Sequence, residues 1–126
     1  MSDIQKLTGL IKRFCEERNW KQFHNTKDLA ISLNLEAAEV LEHFQWKSEE
    51  EVREYLKTHK EHVGEELSDV LYWILLMSDD LGIDIADAFE KKMKKNEEKY
   101  PVEKAKNRHN KYTELAKDHE SKKEKE

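Results

Sequence analysis

The chain has 126 residues, of which 40% are charged and 37% are hydrophobic, and its formal net charge is −5. These values favour one domain of helices with narrow apolar stripes, and three glycines with one proline offer few turns for a many-stranded sheet. Acidic and basic residues are mixed along the chain, which argues against a nucleic-acid partner, and no apolar run approaches the ~20 residues of a membrane span.

The N-terminal half of the chain contains two predicted helices joined by an aromatic segment. Apolar residues at helical spacing predict a first helix over about Asp3 to Glu17. The aromatic residues of 18–25 then interrupt the helical period. A second helix begins near Asn25 or Thr26, either of which can cap it, and continues to about Trp46.

The predicted elements continue with a long apolar helix and a shorter polar one. Ser48 and Glu51 form a capping-box pattern that starts a third helix, which we expect to break near 58–61. The resumed helix is the most apolar part of the chain and should therefore lie at its centre. Gly82 is typical of a left-handed helix end, and a fourth helix follows over about 84–99. The whole is an all-α fold with four to five helices.

The two ends of the chain differ in composition. We assign residues 1–116 to one helical domain and residues 117–126 to a charged, disordered tail. Because Cys15 is the single cysteine, no intramolecular disulfide can form, and a reducing cytoplasm is the expected location.

Two pairs of carboxylates lie within apolar helical stretches, Glu36 with Glu39 and Glu66 with Asp69. Residues three apart share a helix face, so each pair points in one direction. Four ionised carboxylates brought together repel one another, and a divalent cation would compensate them. Oxygen ligands favour Mg²⁺, Mn²⁺ or Ca²⁺ over zinc. We therefore predict a metal site here in preference to solvated surface, and the absence of Glu-x-x-His argues against a di-iron centre.

Aromatic residues flank the carboxylate pairs in the sequence. Each one taken singly is more typical of ordinary core. Several of them beside the carboxylates would form a stacking slot for a nucleotide base, while the metal binds the phosphates. The candidates are Trp20, Phe23, His24, Trp46 and Trp73.

A third group of candidates is basic or amide. Lys92, Asn96 and Lys99 follow one helical stripe, at spacings of four and three. Each alone would be a solvated side chain. If the stripe faces the carboxylates, these side chains would bind phosphate oxygens and neutralise a leaving pyrophosphate. Lys111 and Tyr112 could reach the same site from the C-terminal segment.

Several segments, taken in order, resemble a known family. ERNWKQFH, EHFQWK, EELSDVL, the pattern K-x-x-x-N-x-x-x-Y-P and KYTEL accompany the E-x-x-E and E-x-x-D motifs. Together they are similar to the MazG-like all-α nucleoside triphosphate pyrophosphohydrolases, and to their dCTP pyrophosphatase branch in particular. The resemblance covers about residues 4–115.

The resemblance implies an activity and roles for the candidate residues. The activity is Mg²⁺-dependent hydrolysis of a nucleoside triphosphate, such as dCTP or a related pyrimidine deoxynucleotide, to the monophosphate and pyrophosphate. The four carboxylates would bind the metal, Glu39 would also orient the attacking water, and the protein would be a homodimer or homotetramer. Ile11 and Trp73 replace a pocket His and a Tyr of the branch, which weakens the expectation of cytosine preference. The alternatives are a non-catalytic nucleotide-binding protein and a helical protein-interaction module.

Overall fold

The computed structural model describes residues 1–107, whose regular structure is entirely helical. The predicted all-α class is confirmed for this part of the chain. The proposed tail over 117–126, the boundary after 116, and Lys111 with Tyr112 lie outside the described residues. The helices are α1 (Asp3–Glu17), α2 (Thr26–Glu42), α3 (Glu49–Asp80), α4 (Ile85–Lys99) and α5 (Val102–Ala105), with a 3-10 turn (Lys21–Phe23) before α2.

Side-chain caps fix where α2 and α3 begin. Asn25 accepts a hydrogen bond from the backbone N–H of Asp28 at 3.0 Å, at the predicted start of α2. Ser48 accepts one from the N–H of Glu51 at 3.2 Å, and Glu51 reaches back to the N–H of Ser48. These bonds satisfy backbone donors that the first turn of a helix leaves open. The predicted helix starts are therefore confirmed.

Two predicted boundaries were wrong. The helix α3 runs without a break through 58–61, where neither glycine nor proline interrupts it. The ring of His59 stacks on the ring of Tyr55 one turn earlier, with centroids 4.1 Å apart, which supports the helix at this point. The helix α2 ends at Glu42 and not at Trp46. There the ammonium of Lys47 donates to the carbonyl of His43 at 2.7 Å, satisfying a carbonyl that the helix end leaves open.

The end of α3 agrees with the prediction. Gly82 has a φ of 69°, in the left-handed region where glycine avoids the steric cost of a side chain. The N–H of Ile83 donates to the carbonyl of Ser78 at 2.8 Å, so the turn satisfies a terminal carbonyl of the helix. This turn leads directly into α4.

The helix α3 packs against both α1 and α2, as its apolar sequence predicted. Among the described residues, the buried apolar side chains are Ile11, Cys15, Leu29, Leu75 and Leu76. This core is small. Leu35 and Leu67, which neighbour the carboxylates in the sequence, are 57% and 54% exposed. Inter-residue contacts divide the chain into two units, Met1–Ile85 and Ala86–Glu126. None of the described helices is both long and apolar enough to cross a bilayer.

Candidate metal and nucleotide site

Three of the four predicted carboxylates converge between α2 and α3. One oxygen each of Glu36, Glu39 and Glu66 lies within 4.8 Å of the others. Asp69 lies one turn further along α3, and its charge acts on both Glu36 and Glu66. The spacing of three along each helix puts each pair on one face, and the packing of the two helices brings the pairs together.

The cluster shifts the protonation of two of its members. Partial burial raises the pKa of Glu36, and the neighbouring carboxyl of Glu39 raises it further, while the indole of Trp73 opposes part of the shift. A hydrogen bond with Glu39 is the main cause that raises the pKa of Glu66, with burial second. The close approach of like charges therefore disfavours the ionised forms of Glu36 and Glu66, and a bound cation would oppose this effect.

The donor set fits a hard divalent cation. The Oε2 atoms of Glu36 and Glu66 are buried and have no hydrogen-bond partner within the described residues. Leaving such an acceptor unsatisfied is costly. A cation bound by carboxylate oxygens would satisfy both atoms and remove the repulsion, and Mg²⁺ and Mn²⁺ accept such ligands.

An aromatic cavity adjoins the carboxylates on the side of α1. It has a volume of about 480 Å³, and Glu36 and Asp69 form its acidic edge. A smaller cavity of about 240 Å³ shares three of its aromatic residues. Between them, the two cavities are lined by four of the five predicted stacking residues, namely Trp20, Phe23, His24 and Trp73. Trp46 lines neither cavity and is 87% exposed.

A tight turn after α1 positions the aromatic wall. Asn19 adopts a left-handed φ of 52°, and the N–H of Trp20 returns to the carbonyl of Cys15 at 3.0 Å. The indole then meets the ring of Phe14 edge to face, with centroids 5.4 Å apart. Asparagine is among the residues that tolerate this conformation best. The segment RNW therefore folds back onto α1 and presents its indole to the cavity.

Sequence reasoning missed two polar residues in the smaller cavity, Asp28 and Ser32. Both belong to α2, and Ser32 lies one turn before Glu36, so helical spacing from the carboxylate pair could have identified it. Asp28 hydrogen-bonds through its carboxylate to the side chain of Asn25 at 2.7 Å.

A polar pocket, separate from the two aromatic cavities, is lined in part by the carboxylates and was also missed by sequence reasoning. It has a volume of about 450 Å³ and is polar. Its lining residues are Glu39, Glu42, His43, Lys47, Tyr55 and Glu66. His43 follows Glu39 by four residues, so its place on the same face was readable from the sequence. Tyr55 carried no such signal, because its approach depends on where α2 ends.

The predicted phosphate-binding stripe lies on α4, in the second unit. Lys92 is exposed, whereas Asn96 and Lys99 are half-buried. The side-chain amide of Asn96 approaches the sulfur of Met93 at 4.0 Å. The contact of these side chains with phosphate stays a prediction.

Comparison with known proteins identifies the family of the chain. Residues 31–115 match the model of the MazG-like family. The chain belongs to this family. It is 36% identical over 117 residues to dCTP pyrophosphatase 1 of Mus musculus, covering 91% of the chain and 67% of the relative. The corresponding human protein is 35% identical over 117 residues, with the same coverage of 91% and 67%.

A solved structure from Archaeoglobus fulgidus, described as a pyrophosphatase, has a similar fold. It superposes with a TM-score of 0.75 at 39% identity, covering 80% of the chain and 94% of that structure. The predicted family resemblance is confirmed by these matches.

Proposed function

We propose that this protein is a nucleoside triphosphate pyrophosphatase, which hydrolyses dCTP or a related pyrimidine deoxynucleotide to the monophosphate and pyrophosphate. The observation that supports it most is the convergence of Glu36, Glu39 and Glu66 beside an aromatic cavity. Base stacking and phosphate-bound metal need these two environments side by side. Membership of the MazG-like family and likeness to dCTP pyrophosphatases support the reaction class.

The carboxylates Glu36, Glu39, Glu66 and Asp69 would hold Mg²⁺, and Mn²⁺ could replace it. A bound cation would supply positive charge to the phosphate oxygens and would favour loss of a proton from the attacking water. The chain's own contribution is to fix the ligands on two helices, so that one oxygen each of Glu36, Glu39 and Glu66 lies within 4.8 Å of the others.

The reaction places a water oxygen on the α-phosphorus while the bond from that phosphorus to the α–β bridging oxygen breaks. Glu39 would orient the water for in-line attack and accept its proton. Lys92 and Asn96 would bind phosphate oxygens, and Lys99 would neutralise the departing pyrophosphate. The base would stack against the aromatic wall formed by Trp20 and its neighbours.

Substrate preference depends on how the aromatic cavity differs from that of the dCTP enzymes. Ile11 and Trp73 both line it, where the branch has His and Tyr. The cavity therefore offers fewer hydrogen-bonding groups to a base at these two positions. Trp46 would contribute to stacking only if a second copy or the substrate covers it, because its ring is 87% exposed.

We further propose a homodimer or homotetramer located in the cytoplasm. Leu35 and Leu67 on α2 and α3 are more than half exposed. The core of the described chain is small, and a partner subunit would bury this apolar face. The single cysteine, Cys15, is buried, and its sulfur lies 3.2 Å from the Tyr72 hydroxyl, so the fold uses it as a core residue without a disulfide, which suits a reducing compartment.

The decisive test is a panel of deoxynucleoside and ribonucleoside triphosphates, each assayed with Mg²⁺, with Mn²⁺ and with EDTA. Products are separated so that monophosphate is distinguished from diphosphate. The expected result is metal-dependent release of monophosphate and pyrophosphate, fastest with a pyrimidine deoxynucleotide. Nucleotide binding without turnover would identify a non-catalytic sensor, and neither binding nor turnover would favour a helical interaction module.

A further inference from the structure

The polar pocket between the end of α2 and the first half of α3 has no role in the proposal above. Two of the candidate metal ligands, Glu39 and Glu66, form one side of it. His43, Lys47 and Tyr55 form the rest of its lining together with Glu42. The same carboxylate cluster meets the aromatic cavity through Glu36 and Asp69. The cluster therefore separates an aromatic cavity from a polar one.

The ammonium of Lys47 is held in a defined position within this pocket. It donates to the carbonyl of His43 at 2.7 Å and lies 4.2 Å from the centre of the Tyr55 ring. An ammonium has three donors, so at least one stays available for a ligand. The ring of Tyr55 is in turn stacked on the ring of His59, with centroids 4.1 Å apart. This stacking restrains the aromatic ring that the ammonium contacts.

A hydrogen-bonded pair of side chains lies beside the ammonium. The hydroxyl of Tyr55 and Nδ1 of His43 are 2.5 Å apart, and both residues are half-buried. One group donates to the other, so the pair keeps one donor for a ligand, which is the Tyr55 hydroxyl or Nε2–H of His43 according to the tautomer. Because His43 follows Glu39 by four residues, these groups lie one helical turn, or ~6 Å, beyond the carboxylate cluster. The direction is away from the aromatic cavity.

Three carboxylates share the pocket with these donors, so a free anion would gain little by entering it. A polyphosphate accompanied by divalent cations meets both kinds of group, because its cations face the carboxylates and its oxygens face the donors. Consider a nucleoside triphosphate whose base occupies the aromatic cavity and whose α-phosphate lies at the carboxylate cluster. Its β- and γ-phosphates then lie beyond that cluster.

We propose that Lys47 and Tyr55, with His43, form a subsite for the diphosphate end of the substrate, which becomes the leaving pyrophosphate. This inference rests on the proposed function, because it takes the order of base, metal and phosphates from that function. It also assigns substrate-binding roles to residues of α3 and of the α2–α3 connection, in addition to the predicted stripe on α4.

The test measures binding of inorganic pyrophosphate and of dCMP separately, by calorimetry in excess Mg²⁺ and again in EDTA. Lys47→Gln removes the ammonium, and Tyr55→Phe removes only the hydroxyl while it keeps the ring that stacks on His59. Lys60→Gln, which removes an exposed charge elsewhere on α3, is the matched control. Circular dichroism confirms that each variant is folded.

The expected result is that each subsite variant weakens Mg²⁺-dependent pyrophosphate binding by about tenfold and leaves dCMP binding unchanged. Lys60→Gln should change neither. The subsite is refuted if pyrophosphate binds the variants as it binds the wild type, if both ligands weaken equally, or if the wild type does not bind pyrophosphate.

Turnover of the wild type separates this inference from the proposed function. If the wild type binds pyrophosphate through Lys47 and Tyr55 but hydrolyses no triphosphate, the subsite is supported and the proposed function is refuted. If the wild type hydrolyses the triphosphate and the variants bind pyrophosphate as the wild type does, the subsite is refuted and the proposed function is supported.

Discussion

Replacing Glu39 by Gln should stabilise the metal-free protein while it removes activity. One oxygen of Glu39 lies within 4.8 Å of one from Glu36. Two unit charges at that separation repel by about 1 kcal/mol in water and by about 3 kcal/mol at an effective dielectric constant of ~20. Because Glu36 is only half-buried and solvent screens the repulsion, we expect a gain of about 1 kcal/mol.

Thermal unfolding in EDTA at neutral pH measures this gain. An unfolding entropy of about 2.1 cal/mol/K per residue gives roughly 0.26 kcal/mol/K for this chain, so the Tm should rise by about 4 °C. Excess Mg²⁺ should reverse the order. At a concentration 100 times its Kd, the cation stabilises the wild type by about 2.7 kcal/mol, and the variant should gain much less.

Turnover of Glu39→Gln should fall by two orders of magnitude or more, on the scale of losing a general base. The matched control is Glu61→Gln, which removes one negative charge from an exposed position of α3 outside the cluster. It should change neither Tm nor turnover appreciably. If Glu39→Gln in EDTA melts at or below the wild-type temperature, the repulsion argument is wrong. If it retains full turnover, Glu39 does not orient the water.

Four further outcomes are expected. The raised pKa values of Glu36 and Glu66 mean that the folded chain binds more protons than the unfolded chain above pH 4.5. In the metal-free protein, the stabilisation that these two groups contribute is therefore lost as pH rises from 4.5 through the raised pKa values. Urea unfolding in EDTA across this pH range measures the loss. A variant with Gln at both positions should show a weaker dependence of stability on pH. Leu75→Ala should cost about 2–5 kcal/mol in the same assay, because Leu75 is 2% exposed and its loss leaves a cavity. Ser48→Ala removes the acceptor of the α3 capping box and should cost about 1 kcal/mol in urea unfolding. Trp20→Ala should weaken dCMP binding in calorimetry by about 1–3 kcal/mol and leave pyrophosphate binding unchanged, because Trp20 lines both aromatic cavities.

The fold was largely predictable because its signals are local. Ser48 and Asn25 mark helix starts through side-chain caps that depend on three or four residues, and Gly82 marks an end in the same way. The break expected near 58–61 does not occur, because stacking between Tyr55 and His59 supports a helix whose apolar spacing is weak there. The spacing of apolar residues indicates which face of a helix is buried. It does not indicate whether the helix is continuous, so it could not predict that α3 runs unbroken through 58–61.

One part of the candidate site follows from residue spacing within single helices, and the other part depends on how the helices pack together. Spacing of three on two helices predicted that four carboxylates would converge, and three of them, Glu36, Glu39 and Glu66, do so while Asp69 lies one turn further along α3. The pairing of His43 with Tyr55 arises because α2 stops at Glu42 and the chain turns back toward α3. No periodicity within a single helix encodes that contact, which is why the polar pocket escaped prediction.

The order of environments along α2 and α3 is itself an argument for a ligand that spans them. An aromatic cavity, a carboxylate cluster and a pocket with a fixed ammonium follow one another. Each has an ordinary structural explanation when taken alone. A purely structural role, however, gives no reason to leave the buried oxygens of Glu36 and Glu66 unsatisfied within the described chain, between the two cavities. A base joined to phosphates and their cations would use all three environments, and the cations would offset the repulsion between the clustered carboxylates.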